Sequence, residues 1–195
     1  MIITDLVRTA YVKRWHIVDV SREQSVAEHS TLVAYISSYL IQQTPDVPEE
    51  NMIGAMWWSL YHDAAEVILG DPPGNLKLTP GFKEVYESLT EHYAPGIAKM
   101  EIPEPARHAV KIADFIESIR FIRRYGIGSE ASYIENDLYG RLTEYADNTM
   151  FASTWHRVYE DVMFGVPTIA NVQITAPEDE TCLLYTSPSP RDQRG

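Results

Sequence analysis

Residues 57–71 read WWSLYHDAAEVILGD, a helical pattern that places His62, Asp63 and Glu66 inside an apolar run. Burying an imidazole and two carboxylates beside Leu60, Val67, Ile68 and Leu69 is costly unless a partner offsets their charge. On a helical projection with His62 at zero, Glu66 falls at about 40° and Asp63 at about 100°. Ala55 and Ser59 share that wall and are small enough to leave room beside it. Two more groups show the same oddity. His29 lies on the apolar stripe of Val33, Ile36 and Leu40, and Asp114 sits within KIADFIESI, in a helix with apolar residues on both faces. The result is two imidazoles and two carboxylates on three helices, aimed at the interior. Such a set nearly meets the needs of one divalent metal: two carboxylates cancel its charge, and the metal removes the burial cost of the acids. Mixed nitrogen and oxygen ligation suits Mn, Fe, Co, Ni or Zn and disfavours Ca or Mg. Metal positions left open to water activate it near neutral pH. Taken singly, each group has a plainer reading: a hydrogen-bonded core histidine, or an Asp114 paired with Arg120 or Arg123. Jointly, those readings require several unrelated coincidences.

The elements that must position these groups are helical nearly throughout. Helices are expected over residues 4–14, 25–44, 49–69, 80–94, 103–126, 129–146 and 149–163. Ser25 and Glu28 stand in capping-box spacing, and Gly70 marks a helix stop. Residues 70–75, GDPPGN, read as a loop. The 103–126 segment opens with acid and closes with Arg123 and Arg124, matching the helix dipole. Residues 165–175 are the one plausible extended segment, and the fold class expected is an all-α, single-domain irregular helical bundle. The Ser/Pro/Arg-rich end, residues 175–195, is expected to be a disordered, non-native extension, leaving residues 1–170 as the domain.

The chain has 195 residues, of which 45% are hydrophobic and 23% charged, the make-up of a soluble globular protein. Its net charge of −12 argues against wrapping duplex nucleic acid through phosphates. No apolar run is long enough to span a bilayer, and the N-terminus lacks a signal-peptide layout. A lone Cys182 excludes an internal disulfide, so a reducing cytoplasm is the expected compartment.

The order His29, His62-Asp63, Asp114 resembles the HD-domain metal-dependent phosphohydrolases. KRWHIV, SVAEHS, YHDAAEVILGDPP and KIADFIESI together are similar to the bacterial 5′-deoxynucleotidase branch and to related phage dATP triphosphohydrolases. The resemblance spans residues from about 5 to 125. It implies the HD-type bundle and a homodimer, with His29, His62, Asp63 and Asp114 as metal ligands. It further implies Glu66 as an acid/base beyond the ligands and Asp71 as a residue that positions water or handles the second proton. Arg14 would grip the phosphate, Lys77 would be a second phosphate ligand, and Trp15 would select the deoxyribose. One departure is visible: PPGNLK stands where a Thr-Pro pair leading to the Lys is expected, which implies a reshaped substrate-side loop.

The activity implied is hydrolysis of 5′-deoxynucleoside monophosphates to deoxynucleoside and phosphate. A dNTP triphosphohydrolase releasing tripolyphosphate is the alternative, with alarmone hydrolysis as a neighbouring reading. From a different class, a non-catalytic helical interaction module predicts loss of ligands or of Glu66, and none is lost. The setting implied is a bacterial cytoplasm, or a phage protein within one.

Overall fold

The computed structural model describes residues 3–77 and 79–165. The expected extended segment beyond Gly165, the tail from residue 175 and Cys182 lie outside the described residues. The chain runs through α1 (Ile3–Leu6), a 3₁₀ turn (Val7–Ala10), α2 (Val26–Gln42), α3 (Asn51–Tyr61), α4 (Glu66–Leu69) and α5 (Gly74–Lys77). It continues through α6 (Phe82–Tyr93), α7 (Pro95–Ala98), α8 (Glu104–Tyr125), α9 (Gly128–Ala146) and α10 (Trp155–Phe164). Among the described residues there is no strand; two isolated bridges, Lys13 with Ser25 and Val20 with Gly126, are the extended pairings present.

Helix α8 is the axis of the bundle and packs against α2, α3, α9 and α10. Its Ile112, Ile116 and Ile119 repeat at helical spacing and are fully buried. They meet Val33 and Leu40 of α2 and Leu142 of α9 in the main core cluster. Each such side chain contributes about 1.5–3 kcal/mol relative to leaving it in water. A second face of α8 is built of Ala106, Ala109 and Ala113, all fully buried. There α3 approaches closely: a Cβ on Gly54 would sit 3.4 Å from Pro103 Cδ and 3.6 Å from the Ala106 Cβ. No described helix is long and apolar enough to cross a membrane.

Helix α2 starts as its cap residues dictate. The Ser25 hydroxyl accepts the Glu28 backbone N–H at 3.1 Å. The reciprocal half of the capping box is absent because the Glu28 carboxylate is taken by Arg22 Nη2 at 2.6 and 2.7 Å.

Four expectations about elements are corrected. The helix expected over residues 4–14 stops at Ala10, because the following backbone pairs across the chain instead. Arg14 N–H donates to Gln24 O at 2.9 Å, and Val26 N–H to Val12 O at 3.0 Å. The helix expected over 49–69 is interrupted between Tyr61 and Glu66. Here the His62 ring nitrogen Nδ1 takes the Ser59 carbonyl at 2.7 Å, the acceptor that a continuing helix would give to the Asp63 N–H. Tight turn bonds follow, Ala64 N–H to Tyr61 O and Glu66 N–H to Asp63 O, both 3.0 Å. Leu60 and Ile68 are consequently exposed rather than in the core, since the polar trio holds the inward positions. Within GDPPGN and beyond, residues 74–77 form a helical turn, α5, that carries Lys77. Finally, α10 begins at Trp155 rather than at 149, after turns anchored by Thr149 Oγ1 on Ala146 O at 2.8 Å.

Candidate active site

One turn into α2, His29 is fully buried and its ring is aimed across α8. Its Nδ1 lies 2.5 Å from Glu117 Oε2. A carboxylate can only accept at that distance, so Nδ1 carries the hydrogen and the Nε2 lone pair is left free. His62 resolves in the same way, because its Nδ1 faces the Ser59 carbonyl, which also can only accept. A ring nitrogen of each histidine, together with an Asp114 carboxylate oxygen, lies within 4.8 Å of the others. His29 Nε2 is buried without a hydrogen-bond partner, although Asp114 Oδ1 is 3.3 Å away and Asp63 Oδ2 is 3.9 Å away. Asp63 Oδ2 also lies 3.2 Å from His62 Nε2. An orphaned, fully buried ring nitrogen facing a second lone pair and two carboxylates is a costly arrangement for a metal-free protein. The donor set fits a divalent cation.

The acids around this point are unevenly satisfied. Asp63 Oδ1 accepts from Lys77 Nζ at 3.0 Å and from the Tyr86 hydroxyl at 2.8 Å, which leaves Oδ2 toward the imidazoles. Asp114 pairs through Oδ2 with Lys111 at 2.9 Å, not with Arg120 or Arg123, and keeps Oδ1 toward His29. Burial alone would raise Asp63 and Asp114. The ammonium of Lys77 beside the first and of Lys111 beside the second, together with the imidazoles that both acids face, outweigh it and hold both well below the usual carboxylate range.

Glu66 behaves oppositely. Its Oε1 accepts from Lys77 Nζ at 2.5 Å, yet its Oε2 is buried with no partner. Burial and the neighbouring Asp63 charge push it well above the usual range despite Lys77. With neutral imidazoles, Asp63, Asp71, Asp114 and Glu117 outnumber Arg14, Lys77 and Lys111 even before Glu66 is counted.

Arg14 and Trp15 sit on the loop joining the 3₁₀ turn to α2. The loop is pinned to the end of α8 by Ser21 N–H on Tyr125 O at 2.8 Å and by Ile127 N–H on Asp19 O at 2.9 Å. Arg14, with its side chain 9% exposed, donates from Nη1 to Gln24 Oε1 at 3.3 Å and to Glu117 Oε2 at 3.4 Å. Its Nε lies 3.9 Å from Asp71 Oδ1 and has no hydrogen bond. Trp15 adopts φ 66°, a left-handed conformation that costs a non-glycine residue about 1–3 kcal/mol. Three contacts hold it there: its N–H donates to Asp71 Oδ2 at 3.2 Å, its Nε1 to Gln24 Oε1 at 3.0 Å, and its ring stacks on Phe121 at 6.0 Å.

The structure therefore gathers His29, His62 and Asp114 around one point, with Asp63 Oδ2 against both imidazoles and Glu66 joined to Asp63 through Lys77, while Arg14, Trp15 and Asp71 form a second group linked to the first through Glu117. Lys77 reaches the acids Asp63 and Glu66. Three residues that the sequence reading did not single out are built into the site: Glu117, Gln24 and Tyr86. A signal existed for Glu117, because it lies three residues after Asp114 in the same apolar run and thus on the same helical face. No comparable pattern marks Gln24 or Tyr86.

Residues 2–109 match the family described as 5′-deoxynucleotidase YfbR-like. The chain is 35% identical over 144 residues to a dATP triphosphohydrolase of Salmonella phage PMBT28, covering 70% of this chain and 72% of that protein. It is 30% identical over 132 residues to a dATP triphosphohydrolase of Cyanophage S-2L, covering 66% and 74%. In fold it resembles the Cyanophage S-2L HD phosphohydrolase bound to dA and one catalytic Zn²⁺ ion. The TM-score there is 0.72 at 23% identity, over 81% of this chain and 96% of that one.

Proposed function

Because the chain belongs to the YfbR-like 5′-deoxynucleotidase family of HD phosphohydrolases, we propose that it uses one divalent metal to hydrolyse the ester between the 5′ oxygen and the first phosphorus of a deoxynucleotide. The observation that carries this reading is the convergence of ring nitrogens of the buried His29 and the half-buried His62 with an Asp114 oxygen, all within 4.8 Å of one another. His29, His62, Asp63 and Asp114 would hold the cation, which supplies Lewis-acid polarisation of the phosphoryl group and activation of water.

The chain's own residues do the rest. Arg14 lies nine-tenths buried, where its guanidinium offsets phosphate charge, and its planar fork suits two phosphoryl oxygens. Glu66 Oε2 is the unpartnered oxygen beside the acids and is the group suited to hold and deliver a proton. As the bond to the 5′ oxygen breaks, that oxygen takes a proton and leaves as the deoxynucleoside hydroxyl. The attacking water loses a proton to a carboxylate and becomes the new phosphate oxygen. Asp71 accepts the Trp15 N–H and faces Arg14, so it orders the arm that receives the nucleotide. Trp15, held by Gln24 and Phe121, is the rigid ring suited to contact the sugar. Lys77, seated on Asp63 and Glu66, balances their charge and is the nearest cation on the α5 side for a phosphate tail.

Similarity to the two phage triphosphohydrolases favours a dATP-like triphosphate as substrate, with tripolyphosphate as the second product. A monophosphate substrate is the second reading. It is favoured by the cations at the site, since Arg14, Lys77 and Lys111 are each already paired with acids. Incubation with Mn²⁺ or Co²⁺ and either dAMP or dATP, followed by chromatography, separates them. Deoxyadenosine with tripolyphosphate from dATP supports the first reading, and deoxyadenosine with phosphate from dAMP alone supports the second. Metal-bound, folded protein that releases nothing from any deoxynucleotide would overturn both.

A further inference from the structure

Glu117 is a fully buried carboxylate that touches both halves of the site. Its Oε2 is shared between two donors, His29 Nδ1 at 2.5 Å and Arg14 Nη1 at 3.4 Å. Its Oε1 accepts Gln24 Nε2 at 2.7 Å, which turns the Gln24 amide so that Oε1 faces Arg14 Nη1 and Trp15 Nε1. One charge thus fixes the tautomer of His29 and the orientation of the arm. We infer that Glu117 is a positioning residue whose single charge is divided between His29 and Arg14, so that cation binding at His29 and the availability of Arg14 to an anion are coupled. This rests on the reading above of His29 as a metal ligand and Arg14 as a phosphate ligand.

The physical basis is competition for one oxygen. A carboxylate accepting from a ligating histidine makes its ring a better ligand. Each donor that draws Oε2 elsewhere weakens that effect. Conversely, a cation on the far side of the ring strengthens the Nδ1–H as a donor, draws Oε2 toward His29 and loosens its hold on Arg14. By linkage the two effects are equal in free energy.

Calorimetric titration of metal-free protein with Mn²⁺ alone tests this without turnover. Glu117→Gln keeps the shape but loses the charge. Its amide must either present N–H to His29 or face the Gln24 amide donor, so Mn²⁺ affinity falls about tenfold. Arg14→Ala removes the competing donor on Oε2 and keeps Glu117, so Mn²⁺ binding tightens several-fold. Arg14→Ala placed on Glu117→Gln shows only the through-space loss of one positive charge, a smaller gain than in the wild-type background. A purely structural Glu117 would lower the melting temperature without this pattern of opposite signs. Should Glu117→Gln fail to fold, Arg14→Lys still decides, because it keeps the charge and withdraws the Nη1 donor from Oε2: tighter Mn²⁺ binding supports the coupling, and unchanged or weaker binding overturns it. Equal Mn²⁺ affinity for wild type and Glu117→Gln also overturns it while leaving the metal assignment standing. Wild type that binds no Mn²⁺ removes both.

Discussion

The two halves of the site are held by different means. On one side, His29, Asp114 and Glu117 project from α2 and α8, helices already fixed by the isoleucine core, so their side chains inherit a direction. His62 and Asp63 stand at the broken end of α3, steered by a bond to the Ser59 carbonyl. On the other side, Arg14 and Trp15 lie on a loop whose geometry comes from backbone pairing with residues 24–26 and from Asp71 and Gln24. The helical half is placed by packing, and the loop half by a few hydrogen bonds that hold Trp15 in a left-handed conformation. Under the proposed function, metal ligation would draw on the rigid half and nucleotide capture on the half that single substitutions can retune.

The largest expected break of this contrast is at the rigid half. His62→Ala or Asp63→Ala should abolish measurable Mn²⁺ binding in calorimetry and reduce turnover to background. Arg14→Ala should leave metal in place. Next, Glu66→Gln should keep the metal and lower kcat by about 10²- to 10⁴-fold, the range for a general acid or base. The same variant yields a pH test in metal-free protein. The raised carboxyl of Glu66 favours its neutral form in the fold, whereas the unfolded group ionises near pH 4.3. Its contribution is thus complete at low pH and lost as pH rises through the raised value. The melting temperature of Glu66→Gln minus that of wild type should grow from pH 4 toward pH 8. A gap independent of pH would contradict an elevated Glu66.

In the loop half, Arg14→Ala should raise KM by about 10- to 100-fold, the worth of a hydrogen bond to a charged group at about 1.5–3 kcal/mol, with a smaller change in kcat. Saturating metal should stabilise the fold by about 2.7 kcal/mol at a hundred times its dissociation constant. Thermal melts with and without chelator read that shift, and His62→Ala should erase it. The smallest effect is expected from Asp71→Asn. It still accepts the Trp15 N–H but loses its charge beside Arg14, so KM should move only a few-fold. A loss as large as that of Glu66→Gln would instead make Asp71 a participant in proton transfer.

Much of the helical half was legible. The Ser25 cap, the His29 stripe and the apolar faces of α8 follow from residue spacing, because a regular helix converts sequence separation into direction. The same rule failed where regularity did. Extending the α3 helix to Leu69 missed the break at His62, since a side chain that takes a backbone carbonyl leaves no trace in periodicity. Hydrophobicity alone would place Leu60 and Ile68 in the core, yet both are exposed. Glu117 went unremarked although Asp114 three residues before it was singled out.

By itself the sequence determined which residues could ligate a cation, which helices carry them, and the family pattern they form. Only the tertiary structure decided that Glu117 serves His29 and Arg14 at once, that Gln24 and Tyr86 belong to the site, and that Lys77 sits on Asp63 and Glu66. Those are contacts between elements 9 to 103 positions apart in the chain. Their existence depends on distances set by core packing, and no local propensity or spacing encodes a distance between two helices.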